Sequence, residues 1–137
     1  MQVRIANRQD EKEIRELKER LSDSLDLKGE DSDLVNIEAN YFGKDGLFLV
    51  VEEEGKIEGF GGARAKSDDV LAIERFLVSE FESRQEAEKE MLRVIVAFAP
   101  RMLYERIECD TTVDVSLLAE YDFSSDKPPH LSIEPDF

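Results

Sequence analysis

The sequence predicts one α/β (α+β) domain over residues 1–137, with a mixed, mostly antiparallel central sheet flanked by helices on both faces. Two observations lead to that class. Three strand-like segments follow one another at 47–51, 57–64 and 70–78, and the short turns between them favour antiparallel pairing. A long helical pattern at 84–98 then runs into another strand-like segment at 107–109, and a strand–helix–strand crossover sets its two strands parallel.

Each element has its own signal. Val3, Arg4 and Ile5 form a short alternating strand. Asp10 stands as an N-cap with Glu13 three residues on, an acidic variant of the capping box. Ile14, Leu17, Leu21 and Leu25 then recur at helical spacing and give an amphipathic helix over 11–24. The polar stretch 28–33 breaks that pattern. Leu34, Ile37 and Tyr41 set a second, shorter helix ending near Gly43.

Leu47, Phe48, Leu49, Val50 and Val51 are an unbroken β-rich run, which reads as a buried strand. Glu53, Glu54, Gly55 and Lys56 turn into its hairpin partner, where Gly59, Gly61 and Gly62 point to a bulge or a close backbone approach. After a turn at Ser67, Asp68 and Asp69, Leu71, Ile73 and Leu77 alternate against Ala72, Glu74 and Phe76. In the long helix Ala87, Met91, Val94, Ile95 and Phe98 form the buried face, and Pro100 kinks or ends it. Ile107 and Cys109 mark the next strand, Val115, Leu117 and Leu118 a short helix, and 130–133 a last strand.

Charge narrows the function. Eighteen basic against 33 acidic residues leave a formal net charge of −15. Such a surface repels phosphate backbones, so no nucleic-acid partner is expected. It attracts cations, and a small polyamine or a basic protein amine suits it, although the same charge also serves solubility. Cys109 is the only cysteine, which leaves no internal disulfide and no cysteine-based metal site; a small buried hydrophobe is its expected role. His130, the only histidine, lies beside Pro128 and Pro129, a poor setting for a catalytic triad. No apolar run approaches the roughly 20 residues of a membrane span, and Met1 to Arg4 opens no signal peptide. The expected compartment is the cytoplasm, with no membrane partner.

The order of elements resembles the GNAT family of acyl-CoA-dependent N-acetyltransferases along essentially the whole chain. Arg4, Ile5 and Ala6 followed by Asp10 resemble the family's opening strand and helix start. The glycine-bearing segment 57–64 looks like its hydrophobic-Gly-phenylalanine strand, and 72–78 is similar to the central strand that leads into the cofactor loop. Leu117, Leu118, Tyr121, Asp122 and Phe123 resemble its last helix and closing Gly-Phe.

This resemblance implies acyl transfer from acetyl-CoA to a primary amine, with Glu74 as base and Tyr121 as the acid for the leaving thiolate. It places Phe76 and Val78 backbone groups on the acyl-pantetheine arm, with Arg84, Gln85 and Ala87 at the cofactor's pyrophosphate. Members of the fold often form dimers, so a homodimer is a possible assembly.

The family's loop has the form Arg/Gln-x-x-Gly-x-Gly/Ala, because glycines let phosphate oxygens approach backbone N–H groups at a helix start. Here Glu86 and Glu88 stand where the glycines belong; shifted by one residue, Arg84 takes the basic position, Ala87 the first glycine and Lys89 the last. Leu118 stands at the usual tyrosine and Thr111 at a frequent asparagine. Glu74 equally suits the solvent face of a strand, and Tyr121 a packing place beneath Phe123. The alternative is therefore a non-catalytic relative that binds a partner or small cation and has lost acetyl-CoA.

Overall fold

Apolar side chains on both sides of the strand segments demand cover on two faces, and the chain supplies helices for each. The structure, a computed structural model, describes residues 1–111, 113, 114, 116, 117, 124–127 and 130–133. Its strands are β1 (Gln2–Ile5), β2 (Leu47–Glu53), β3 (Lys56–Ala65), β4 (Val70–Val78), β5 (Arg106–Cys109), β6 (Ser124–Lys127) and β7 (His130–Ile133). The helices are α1 (Glu11–Ser22), α2 (Ile37–Asn40) and α3 (Arg84–Arg101). One sheet runs in the order β1-β2-β3-β4-β5-β7-β6. Every neighbouring pair is antiparallel except β4 and β5, the two strands joined through α3. The fold is thus α+β with a mixed sheet, as the order of elements requires.

The two cores divide by strand alternation. Leu47, Leu49 and Val51 of β2 pack with Met91, Leu92 and Ile95 of α3. Phe48 and Val50 face the other way, into Ile14 and Leu17 of α1 and Ile37 and Tyr41 around α2. Gly62 of β3 explains how the aromatic side closes up. A Cβ there would lie 2.5 Å from Phe48 Cδ2 and 2.8 Å from Tyr41 Cε1, so only a bare backbone fits beneath those rings. Among the described residues no helix is long and apolar enough to cross a membrane.

Several local expectations are corrected. The capping box belongs to Asn7: its side chain accepts from Gln9 N–H, and Asn7 N–H donates to Asp10 Oδ2 at 2.8 Å. Asp10 makes no cap bond of its own for α1, because Arg4 holds its carboxylate at 2.8 and 2.9 Å. Helix α1 stops at Ser22, where Asp23 turns left-handed, so Leu25 lies beyond it. The second helix is one α-turn, Ile37–Asn40, between two 3-10 turns. Pro100 sits in the last turn of α3, and the helix ends one residue later at Arg101, close to where the proline signals an end. Strand β6 has no counterpart among the elements the sequence predicts, and β7 coincides with 130–133.

The largest correction concerns β4. Strict alternation would put Leu77 with Leu71 and Ile73, yet Leu71, Ile73, Phe76 and Val78 share the α3-side core while Leu77 packs on the other side. The pairing explains it: Gly62 opposes Arg75 and Ala63 opposes Ile73, so Glu74 is an extra residue with no partner across β3. This bulge swaps the faces of everything after it.

Candidate functional site

The bulge stands beside an opening in the sheet. β5 pairs β4 only from Val70 to Ile73, with Cys109 opposite Ile73, and Asp110 N–H donates to Ile73 O at 2.9 Å as the last link. From Glu74 onward, that edge of β4 has no β5 partner among the described residues. Ser79 N–H donates to Glu58 O on the β3 side at 2.8 Å. Backbone groups alternate along a strand, so those of Phe76 and Val78 point away from β3 into the opening, while their side chains are buried beside α3. This edge suits an extended chain that seeks backbone hydrogen bonds, such as a pantetheine arm.

On the α1 face, the same bulge turns Glu74 and Arg75 into a cavity of about 410 Å³. Arg75 donates from Nε and Nη2 to Asp33, at 2.9 and 2.5 Å, from Nη1 to Asp31 at 3.0 Å, and to Glu30 O at 2.8 Å. Lys18 also reaches Asp31, at 3.0 Å, and Tyr41 donates its hydroxyl to Asp33 at 2.5 Å. Burial pushes Asp31 and Asp33 upward, but these donors outweigh it and hold both below the usual carboxylate range. Burial is also the larger reason why the Tyr41 hydroxyl titrates well above its ordinary value, with Asp33 adding to it.

Glu74 is bound by Arg64 of β3, whose Nε donates to Glu74 Oε2 in a short hydrogen bond. Arg64 Nη1 donates to Asn40 O at 3.2 Å, and its guanidinium lies 5.2 Å from the centre of the Tyr41 ring. Asp110 completes the wall and meets Lys66 at 3.5 Å. The family resemblance points to Glu74, whereas Arg64, Arg75, Asp31 and Asp33 join it only in the folded cavity. Two arginines inside otherwise apolar strands were the available signal, since buried guanidinium groups require carboxylate partners.

The start of α3 is different. Arg84 meets Glu80 and Glu88, each at 3.4 Å, so its charge is already offset. Gln85 and Glu86 are exposed, whereas Ala87 is wholly buried under the helix. Burial raises the Glu88 carboxyl above its ordinary value, against the pull of Arg84. The opening beside β4 therefore fits an acyl-pantetheine arm. At the start of α3, Arg84 is already paired with Glu80 and Glu88 and Glu86 stands on the same turn, an arrangement that opposes an anion there.

Of the remaining candidates, Tyr121, Leu118 and Asp122 lie outside the described residues. Thr111 is half-buried two residues beyond β5. Cys109 is buried, and burial, helped by Asp110, pushes its thiol up to about 12, so it packs as a hydrophobe. The described residues hold no group of three His, Cys, Asp or Glu side chains placed for a metal ion.

Comparison with known proteins agrees with this architecture. The model of the Acetyltransferase (GNAT) family matches residues 12–121. Among solved structures, a Staphylococcus aureus acetyltransferase of the GNAT family is 18% identical, with 98% of this chain and 99% of that one covered at a TM-score of 0.79. The Salmonella typhimurium protein yncA, solved with its cofactor acetyl-CoA, is 13% identical over 98% of this chain and 94% of its own, at 0.75. A Mycobacterium tuberculosis protein solved in complex with CoA is 19% identical over 93% and 74%, at 0.69. No curated protein matches the sequence. The solved structures speak for the fold, and the family model, which spans most of the chain, speaks for descent. This chain belongs to the GNAT acetyltransferase family.

Proposed function

We propose that this domain is a cytoplasmic N-acetyltransferase that moves the acetyl group of acetyl-CoA onto a primary amine. One observation carries the reading. Glu74 is the bulged residue of β4 at the very point where β5 leaves it, so a carboxylate stands between the opening and the charged cavity.

Bound acetyl-CoA supplies an electrophilic thioester carbonyl. The edge of β4 at Phe76 and Val78 holds the donor and offers N–H groups to that carbonyl oxygen, which gains negative charge as the amine attacks. Glu74 takes the proton that the amine nitrogen releases when the new C–N bond forms, directly or through one water. The C–S bond breaks, and the thiolate receives a proton from an acid, for which the family resemblance points to Tyr121. The test is thiol release from acetyl-CoA with a panel of primary amines. Glu74→Gln should lower kcat by about 10²–10⁴ with little effect on donor binding. Thiol release that is equal in the variant would remove Glu74 from the mechanism.

A second reading is favoured by Arg84, whose guanidinium is already engaged by Glu80 and Glu88 rather than open to a diphosphate. In it the fold binds a partner or a small cation and no longer acetylates. Coenzyme A retained by the purified protein would dismiss it. Absence of binding at millimolar coenzyme A would dismiss the first reading.

A further inference from the structure

We propose that the cavity beside Glu74 takes a free α-amino acid as its zwitterion, with the ligand carboxylate on Arg64 and its ammonium at Glu74 and Glu30. As an acceptor assignment, this rests on the transferase reading above.

The inference comes from counting which polar groups in the cavity are already satisfied. Arg75 is spent on Asp31, Asp33 and Glu30 O. Lys18 is spent on Asp31 and Ser24 O. Arg64 is only partly used: Nε serves Glu74 and Nη1 serves Asn40 O, while Nη2 has no acceptor among the described residues. Its side chain lines the cavity and is 29% exposed. On the acidic side, Glu74 uses Oε2 and leaves Oε1 open, and the Glu30 carboxylate makes no ion pair or hydrogen bond among the described residues.

What remains is one guanidinium edge of Arg64 fixed directly beside the open Oε1 of Glu74, with the Glu30 carboxylate on the same cavity wall. The complement of that pair is a molecule with a carboxylate and an ammonium a few ångströms apart. A guanidinium edge binds carboxylates well, and the Tyr41 ring and Asn40 O keep this one in place. A polyamine or a lysine side chain offers no anion to Arg64 and meets its positive charge on the way to Glu74. The cavity volume of about 410 Å³ suits a small molecule.

The experiment measures binding by calorimetry to the full chain without donor, using single L-amino acids, each beside its own amide, with spermidine as a third probe. Acyl transfer to the same compounds is measured in parallel. At least one free amino acid should bind about tenfold or more tighter than its amide. Arg64→Gln should erase that preference and Arg64→Lys should keep part of it, with thermal melts confirming that both variants fold. Amides or spermidine that bind as well as the free acids would overturn the proposal. So would a preference that survives in Arg64→Gln, or no amino-acid binding at concentrations on the order of 10 mM. Acylation that is indifferent to the carboxylate overturns this proposal and leaves the transferase reading intact. Arg64-dependent binding without acylation supports the ligand and overturns the transferase reading.

Discussion

Arg75 grips both oxygens of Asp33 across 42 residues of sequence, from Nε to Oδ2 at 2.9 Å and from Nη2 to Oδ1 at 2.5 Å. Together with the bond to Asp31, this ties the segment between α1 and α2 to the bulge of β4.

Removing that grip leaves buried carboxylates unpaired. Arg75→Met should cost about 3 kcal/mol at pH 7, measured by urea unfolding. The pH dependence has a definite sign. Asp31 and Asp33 sit below their ordinary value, so their contribution is present above about pH 4 and is lost as pH falls through their folded values. The gap between wild type and variant should therefore narrow below pH 4. A gap that widens there would contradict the pairing.

Gly62 offers a test of packing alone. A Cβ at 2.5 Å from Phe48 forces the ring or the strand to move. Gly62→Ala should destabilise by about 1–3 kcal/mol and lower Tm by several degrees. An unchanged Tm would mean that the aromatic cluster yields freely.

The start of α3 predicts unusual coenzyme behaviour. If carboxylates there oppose a diphosphate, replacing Glu86 and Glu88 by glutamine should tighten coenzyme A by about tenfold in calorimetry. Wild-type affinity should rise as pH falls through the raised Glu88 value, and rise again with added salt, which screens the repulsion. A phosphate site built from free cations would weaken in salt, and that result would refute the view.

Cys109 should stay silent. Its thiol is buried and pushed up to about 12, so a thiol reagent near neutral pH should label it only as fast as the chain unfolds. Rapid labelling of the folded protein would place it at an exposed site.

The sequence made the elements legible wherever a local pattern sufficed. The apolar run of β2, the periodic face of α3 and the bounds of β4 follow from side chains within one segment. Two kinds of feature could not be read that way. The bulge at Glu74 exists only in the pairing of Gly62 with Arg75 and Ala63 with Ile73, which neither strand encodes alone. Likewise Asp10 looked like a cap until Arg4, six residues away, claimed its carboxylate. For the site, the family resemblance points to Glu74, Phe76 and Val78, and the structure places all three beside one opening, where their roles belong to the proposal above. The Arg75–Asp31–Asp33 cluster was not legible, since its members meet only after the sheet has formed.

The extra residue in β4 also limits how this gene can vary. Substitutions along 70–78 change one contact at a time, and deleting the codon at 74 would restore plain alternation with Phe76 to Val78 on their present faces, but would remove the carboxylate that stands between the opening and the cavity. Length variation should instead collect in the exposed turn at 66–69, where an added residue shifts no register.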